Sequence, residues 1–408
     1  MVRSGHFDMR SENGPISRSR VRVRIEQSHR AEPLAERTSL LLEVSVSKTA
    51  ARPPFDQVRA DAFADRVVKA LNDGALCLMM SVGHRTGLFD AMREAPPSTS
   101  HEVARSAKLD ERYVREWLGA MVTAGVVEVD PQSARYRLPS EHATFLSRAS
   151  AADNLAVFSQ WIAVFAGVED DVVECFRKGG GVPYQRYGRF HEVMREDSGQ
   201  SVLSSLEPHV LPLVPGLKER LGEGIRVLDA GCGSGRILSH MAARFPQSRF
   251  TGMDLSPEAI AFARAKAAEI GLANAEFVVR DLGDFDRTAS AGEFDLVTTF
   301  DAIHDQAQPL RVLKGIHRTL KTDGVYLMQD IRGSSDVHKN LDHPFGPFLY
   351  TASCLHCMTV SLAQGGKGLG AMWGEEKARE YLRRAGFRSV ETKTLAHDPM
   401  NNWYVVRK

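Results

Sequence analysis

The sequence has few cysteines, almost no net charge and no long uninterrupted apolar run. Its five cysteines among 408 residues are too irregularly spaced for a disulfide framework (Cys77, Cys175, Cys232, Cys354 and Cys357). A net charge of +1 lacks the basicity of a non-specific nucleic-acid binder. No leader with a basic and an apolar region opens the chain, and the longest apolar stretch, 155–168, is too short to span a bilayer. We therefore expect a cytoplasmic protein that binds neither membranes nor nucleic acid.

The first 54 residues show no sustained hydrophobic period. They mix Arg-rich and Ser-rich segments with scattered acids, and two prolines precede Phe55. We interpret residues 1–54 as a disordered tail. The alternating segment from Ser17 to Arg24 leaves a nucleic-acid or targeting patch open as an alternative, although nearby glutamates dilute its charge.

Residues 55–148 have the pattern of a helical domain that ends in a small β wing. The stretch 57–92 is helical in period and carries one apolar stripe (Phe63, Val67, Val68 and Leu71). A Pro-Pro-Ser-Thr-Ser break begins a new helix, a second helix covers 110–124, and short strands follow at 125–129 and 136–138. Helix, turn, helix and wing together predict a winged-helix domain.

The charge of this domain argues against DNA recognition. Between residues 55 and 150 there are 12 Lys and Arg against 13 Asp and Glu, which gives no electrostatic footprint for phosphates. We therefore expect a structural or dimerising role, and DNA binding through the helix at 111–121 is the alternative. Residues 149–222 follow as a helical connector, with one helix over 151–176, a triple-glycine break and another helix from about Arg189.

Residues 223–408 alternate strands with helices. Apolar runs that predict strands lie at 225–229, 249–254, 276–280, 294–300, 324–331, 389–395 and 402–407. This alternation predicts an α/β domain with a parallel sheet that is covered on both faces. Because no helix separates the last two strands, we expect the final strand to be antiparallel.

The first of these strands runs into a turn of alternating glycines at residues 229–236, Asp-Ala-Gly-Cys-Gly-Ser-Gly-Arg. Glycine has no Cβ atom, so a ligand can approach such a backbone closely. A dinucleotide-binding fingerprint would need Gly-x-Gly-x-x-Gly, but Arg236 stands at its last position. The turn instead resembles the first motif of class I S-adenosylmethionine (SAM)-dependent methyltransferases, an acid followed by Gly-x-Gly-x-Gly (Asp229, Gly231, Gly233 and Gly235).

This resemblance implies SAM as the cofactor and a Rossmann-like sheet of seven strands. It also implies that the turn, including Cys232, passes under the methionine part of SAM. Asp254 ends the second strand about 20 residues later, at the spacing of a ribose-binding acid, and Leu255 follows it. By the same resemblance, Asp281 and Leu282 contact the adenine, and Phe300 at the end of the fourth strand belongs to the same site.

His304 follows the fourth strand, and Asp330 ends the fifth. Counted from Asp295, His304 lies where the plant-type small-molecule O-methyltransferases have a His-Asp pair. The resemblance implies that His304 is the general base for the acceptor hydroxyl and that Asp330 helps to hold it. A packing or binding role for His304 is the alternative. Those enzymes also use an amino-terminal winged helix to dimerise, so we expect a homodimer formed through residues 58–175.

Substrate contacts are expected from the connector and from the insertion at 333–370. Phe190 and Met194 share one helix face and resemble the stretch that those enzymes lay across the site, and Tyr350 and Met358 lie in the insertion. A Gly-Gly-Lys at 365–367 resembles a motif of the family, but it continues Gly-Leu-Gly, so the second glutamate of the plant-type site is absent.

Within the insertion, Cys354, His356 and Cys357 also suggest a metal site, but the sequence offers no second cluster to complete one. We therefore expect no metal and assign these residues to packing or to the substrate pocket. The sequence as a whole predicts methyl transfer from SAM to a hydroxyl of a small aromatic or lipophilic molecule. Transfer to nitrogen or carbon is the alternative within this class, and a SAM-sensing, DNA-binding winged-helix regulator is the alternative outside it.

Overall fold

A computed structural model describes residues 54–408 of the chain. The predicted tail, residues 1–54, therefore lies outside the described residues except at its last position. In the described part, no helix is both long enough and apolar enough to cross a membrane.

The first part of the described chain is a helical domain with a two-stranded wing. Its elements are α1 (Gln57–Thr86), α2 (Leu88–Met92), α3 (Ser100–Ala107), α4 (Glu111–Thr123), β1 (Glu128–Asp130), β2 (Arg135–Arg137) and α5 (Ser140–Leu146). β1 and β2 pair antiparallel, with Val129 opposite Tyr136. Thr99 begins α3 through a capping box with Glu102, which the break before this helix predicts. The winged-helix prediction is confirmed.

The helix predicted over 57–92 is two helices in the structure. Gly87 separates α1 from α2 with a φ of 75°, a left-handed conformation that glycine adopts without strain. The apolar stripe of α1 is not part of the domain core, because its side chains are 52 to 73% exposed (Phe63, Val67, Val68 and Leu71). The core instead forms around α2 and α4, where the rings of Phe89 and Trp117 meet edge to face at 5.3 Å.

The connector also contains one more break than its sequence predicts. Its helices are α6 (Ala156–Ala166), α7 (Glu169–Lys178) and α8 (Phe190–Ser201). The single helix predicted over 151–176 is wrong, because α6 ends at Ala166, Gly167 follows it, and α7 begins at Glu169. Three acids in the first turn of α7, residues 169–171, favour a helix start there through the helix dipole.

The rest of the chain builds a sheet of seven strands. The strands are β3 (Arg226–Ala230), β4 (Arg249–Asp254), β5 (Ala275–Val279), β6 (Phe294–Phe300), β7 (Leu320–Ile331), β8 (Ser389–Leu395) and β9 (Asp398–Arg407). The helices are α9 (Leu217–Glu223), α10 (Arg236–Arg244), α11 (Pro257–Glu269), α12 (Phe285–Thr288), α13 (Pro309–Thr319), α14 (Gly346–Ala352), α15 (Met358–Ala363) and α16 (Gly374–Ala385).

The strand order is β5-β4-β3-β6-β7-β9-β8, and only β9 runs antiparallel to its neighbours. Two large apolar clusters pack on the sheet, and adjacent residues of β3 belong to different clusters, Val227 to one and Leu228 to the other. Since successive side chains of a strand point to opposite faces, both faces of the sheet are covered. The predicted seven-stranded α/β fold with an antiparallel last strand is confirmed.

The insertion between β7 and α16 packs against the connector. A π-helical turn, Ser353–Cys357, joins α14 to α15. Thr359 accepts a hydrogen bond from the backbone N–H of Val182 at 2.9 Å, and the hydroxyl of Tyr187 donates to the carbonyl oxygen of Leu355 at 2.6 Å. These contacts hold the insertion and the connector together over the carboxyl ends of the strands.

Candidate active site

The glycine turn joins β3 to α10 and folds against the end of β4. The N–H groups of Gly231 and Cys232 donate to the carbonyl oxygen of Met253 at 2.8 and 3.0 Å. Gly231, Gly233 and Gly235 have φ values of 86°, 53° and 67°, a region that disfavours side chains with a Cβ. The alternating glycines are therefore needed for the path of the chain itself.

Only the middle glycine of the turn faces open space. A Cβ atom at Gly235 would lie 2.3 Å from the ring of Phe277, and one at Gly231 would lie 2.8 Å from Ala302. A Cβ atom at Gly233 would meet nothing within 4 Å. The turn is thus packed on the protein at its two ends and leaves a cradle at its centre.

A buried carboxylate stands at the entrance to the turn. Asp229 is 2% exposed, and the hydroxyl of Thr298 donates to its Oδ1 at 2.8 Å. Burial raises the pKa of Asp229 to about 7, and the nearby charge of Asp254 adds to this increase. A cationic group placed beside Asp229 would stabilise its charged form.

Asp254 lies at the carboxyl end of β4 and faces the same turn. Its Oδ2 accepts a hydrogen bond from the N–H of Gly233 at 2.8 Å, and its Oδ1 accepts one from Ser256 at 2.8 Å. Asp281 follows the next strand, is exposed, and accepts a hydrogen bond from Gly283 at 2.7 Å. The predicted cofactor acids therefore end three neighbouring strands, as Asp229, Asp254 and Asp281 along one edge of the sheet.

Beyond these acids, a cavity lies over the carboxyl ends of β6 and β7. Its wall is largely aromatic and is built by α6, α8 and α14 (Trp161, Phe165, Phe190 and Phe348). The ring of His356, from the π-helical turn, stacks on Phe190 with centroids 4.1 Å apart. Burial lowers the pKa of His356 to about 4, so this ring is neutral near pH 7. The wall therefore suits a flat apolar molecule.

His304 contributes to the polar side of this cavity and is almost completely buried. Its Nδ1 lies 2.8 Å from Oδ1 of Asp330, and its Nε2 lies 3.1 Å from Oδ1 of Asp305. Asp330 is fixed in turn by hydrogen bonds from the indole of Trp373 and the backbone of Ile331, both at 2.9 Å. The carboxylate holds the ring in one orientation and favours the tautomer with the proton on Nδ1.

The charge on this histidine is set by its neighbours. Burial alone would lower the pKa of His304, but the carboxylates of Asp330 and Asp305 outweigh burial and raise that pKa well above its ordinary value. Asp301 lies beside them, with a strained φ of 53° and its Oδ1 3.7 Å from Nδ1 of His304. Burial raises the pKa of Asp301 to about 7. The group can therefore exchange protons close to neutral pH.

The structure brings some of the predicted substrate residues to the cavity and leaves others out. Phe190, Met194 and the predicted cofactor residue Phe300 line it. Tyr350 and Met358 do not: the hydroxyl of Tyr350 accepts a hydrogen bond from the side chain of Asn340 at 3.0 Å. On α14 the cavity is lined by Phe348, Leu349 and Ala352, which share one helix face, and Tyr350 points away from that face.

Sequence reasoning missed other polar groups of the site. The hydroxyl of Tyr184 lies 3.4 Å from Oδ2 of Asp305, and Gln329 and Asn401 line the cavity. Only the strand alternation of β7 signals Gln329, which stands two residues before the apolar Ile331 on the same face. No motif marks Tyr184 or Asn401.

The side chains of Cys354, His356 and Cys357 do not come together as one possible metal site in the described part of the chain. Among the described residues, the side chains close enough to share an ion are His304, Asp305 and Cys357 in one group and Asp301, His304 and Asp330 in another. Of the suggested triplet, only Cys357 belongs to either group.

Two stretches of the chain match known families. Residues 74–148 match the Rv2258c-like winged HTH domain, and residues 221–386 match a methyltransferase domain. The chain carries a winged-helix domain followed in sequence by a methyltransferase domain. These matches agree with the fold, because the first covers the wing and the second covers β3 to α16.

The methyltransferase domain also has curated relatives. An uncharacterized methyltransferase of Synechocystis is 34% identical over 132 residues, 31% of this chain and 56% of the relative. A ubiquinone biosynthesis O-methyltransferase of Xanthomonas axonopodis is 33% identical over 128 residues, 31% of this chain and 51% of the relative. The chain thus spans about half the length of these relatives.

Solved structures share the whole two-domain arrangement. The mitomycin 7-O-methyltransferase MmcR is 18% identical with a TM-score of 0.63, covering 86% of this chain and all of that chain. Human N-acetylserotonin methyltransferase, solved with SAM, is 18% identical with a TM-score of 0.61, covering 87% of this chain and 99% of that chain. At this identity the likeness establishes the fold.

Proposed function

We propose that this protein transfers a methyl group from SAM to a hydroxyl of a small aromatic or lipophilic molecule. The observation that carries this proposal is the buried pair of His304 and Asp330 beneath an aromatic cavity, at the sheet edge that also carries the glycine turn. A methyltransferase domain and relatives that include an O-methyltransferase support it.

The residues of the glycine turn fit SAM. The open cradle at Gly233 has room for the methionine part, and the buried carboxylate of Asp229 matches its ammonium group. Asp254 presents carboxylate oxygens that can accept from the ribose hydroxyls, and Asp281 with Leu282 would contact the adenine. Cys232, Leu255 and Phe300 complete the proposed contacts.

SAM carries the methyl group on its sulfonium sulfur, and after transfer the rest of the molecule would leave as a neutral thioether. The protein's part is to hold the acceptor oxygen in line and to take its proton on Nε2 of His304, where the carboxylate of Asp305 at 3.1 Å would stabilise the resulting imidazolium. A free phenol with a pKa near 10 and an ordinary histidine near 6.5 differ by roughly 3.5 units, or about 5 kcal/mol. The carboxylates that raise the pKa of His304 narrow this difference.

Methyl transfer to nitrogen or carbon is the second candidate function of this site, because such acceptors can react when the site only aligns them with the methyl group. A DNA-binding regulator has less support. On α4, the helix that would read DNA, Arg112 lies 2.5 Å from Glu116, and Arg115 lies 2.5 Å from Glu111. These arginines are thus partly neutralised by acids on their own helix.

The proposal includes a homodimer formed through the winged-helix domain and the helices that follow it. The exposed apolar stripe of α1, with Phe63 65% and Leu71 73% exposed, supports it, since such a surface favours association. The five cysteines are all unpaired, which supports a reducing compartment such as the cytoplasm.

Calorimetry with SAM and S-adenosylhomocysteine (SAH) tests the cofactor proposal. Both ligands should bind with micromolar affinity, and Asp254→Ala should weaken binding about tenfold or more, since it removes a charged hydrogen-bond acceptor. Asp323→Ala, at an exposed position of β7, is the matched control and should bind like the wild type. No heat with either ligand, or equal affinity in the two variants, would contradict the proposal.

A further inference from the structure

The substrate cavity has a second polar region besides His304. Gln329 of β7 and Asn401 of β9 both line it, and both side chains are almost fully buried, at 2 and 5% exposure. The pairing of the two strands brings them together, because Asn401 lies opposite Ile331, which is two residues after Gln329 on the same face.

A buried carboxylate fixes the orientation of the Asn401 amide. Asp398 accepts a hydrogen bond from Nδ2 of Asn401 at 2.8 Å and another from the indole of Trp403 at 3.0 Å. Asn401 therefore turns its NH₂ group toward Asp398 and its carbonyl oxygen away from it.

The side-chain carbonyl oxygens of both lining amides, Oε1 of Gln329 and Oδ1 of Asn401, are buried and have no hydrogen-bond partner among the described residues. Leaving a buried acceptor without a donor is costly. A ligand that brings N–H or O–H donors to this region would remove that cost, whereas one that brings only acceptors would increase it.

The charges around the cavity favour the same kind of ligand. Neither lysine nor arginine is among its lining residues in the described part of the chain. Three aspartates line it (Asp197, Asp301 and Asp305). Although burial opposes it, His304 lowers the pKa of Asp305, so this carboxylate stays ionised near pH 7. It would repel a carboxylate ligand and stabilise an ammonium.

We propose that Gln329 and Asn401 form a donor-recognising subsite, and that the methyl acceptor is a hydroxylated aromatic amine or a similar compound with N–H donors. Its hydroxyl faces His304 and its nitrogen faces the two amide oxygens. This inference rests on the proposed function, because it assigns the acceptor of that same site.

Three matched phenols test this proposal. Tyramine carries a cationic N–H donor, 4-ethylphenol carries no added polar group, and 3-(4-hydroxyphenyl)propanoic acid carries an anion. Each is titrated calorimetrically into the full chain saturated with SAH. Tyramine should bind about tenfold more tightly than 4-ethylphenol, and the acid should bind most weakly. Failure of the cofactor proposal would appear separately, as absence of heat with SAH itself.

The variants Gln329→Met and Asn401→Leu keep the size of the side chain and remove the oxygen. Each should weaken tyramine at least fivefold while changing 4-ethylphenol by less than twofold and leaving SAH affinity intact. Gln364→Met, at an exposed position outside the cavity, is the control. The subsite is refuted if tyramine fails to bind at millimolar concentration, if the acid binds best, or if the preference survives in both variants, as it would if water alone served the two oxygens.

Discussion

Replacing Asp330 with asparagine separates a base-using enzyme from one that only aligns its reactants. The change keeps the shape of the side chain and removes the charge that lies 2.8 Å from Nδ1 of His304. A carboxylate at this distance in a buried site raises a histidine pKa by roughly 1 to 3 units. In Asp330→Asn the pKa of His304 should therefore fall by that amount.

The sign of the pH effect follows from the role of the base. His304 must be neutral to accept a proton, and its carboxylate neighbours raise its pKa well above the ordinary value. The wild-type kcat should therefore rise with pH through a midpoint above 6.5, and the midpoint of Asp330→Asn should lie lower. On the alkaline plateau the variant should lose activity, up to the about 10- to 1000-fold that 1 to 3 pKa units would give if the whole change in basicity reached the transition state.

The assay is SAH release with an accepted phenol, measured from pH 5.5 to 9.5. At the acid end the two effects oppose each other, so the loss in Asp330→Asn should be much smaller there. Asp336→Asn, at an exposed position of the insertion, is the control for charge removal. A wild-type rate that is flat across this range, or an unchanged midpoint in Asp330→Asn, would refute the assignment of His304 as the base.

Three further predictions follow from the turn, from its acid and from α1. SAH affinity should rise about tenfold between pH 6 and pH 8 as Asp229 ionises through its pKa of about 7, and calorimetry should find this dependence lost in Asp229→Asn. Gly233→Ala should weaken SAH binding and lower the melting temperature only through its positive φ, whereas Gly235→Ala should lower the melting temperature further because its Cβ atom also meets a ring; calorimetry and thermal unfolding distinguish the two. Leu71→Glu should convert the proposed dimer to a monomer in light scattering, while Tyr113→Glu, an equally exposed change on α4, should not.

The cofactor side of the site was predictable because its signals are local. Asp229, Asp254 and Asp281 each end an apolar run, and parallel strands bring their carboxyl ends to one edge of a sheet. The glycine spacing at 231–235 reflects backbone angles that few other residues adopt. Such features can be read without knowing the order of the strands.

The acceptor side depends on contacts between distant segments. Asn401 reaches the cavity because β9 pairs antiparallel with β7, and the sequence does not reveal which residues stand opposite each other. Tyr350 was expected in the pocket, but the phase of α14 directs it toward Asn340. The break after α6 was missed because an apolar run hid Gly167, although the acids that follow mark a helix start.

The most direct test of the account is to locate the methyl group after the reaction. The protein is incubated with trideuteromethyl-labelled SAM and a metabolite extract that includes hydroxylated aromatic amines, and labelled products are identified by mass spectrometry and NMR. The account predicts a trideuteromethyl group on an aromatic oxygen, formed by the wild type and reduced at least 100-fold in His304→Ala, whose SAH affinity should be unchanged. A label on nitrogen or carbon, or full activity in His304→Ala, would contradict it.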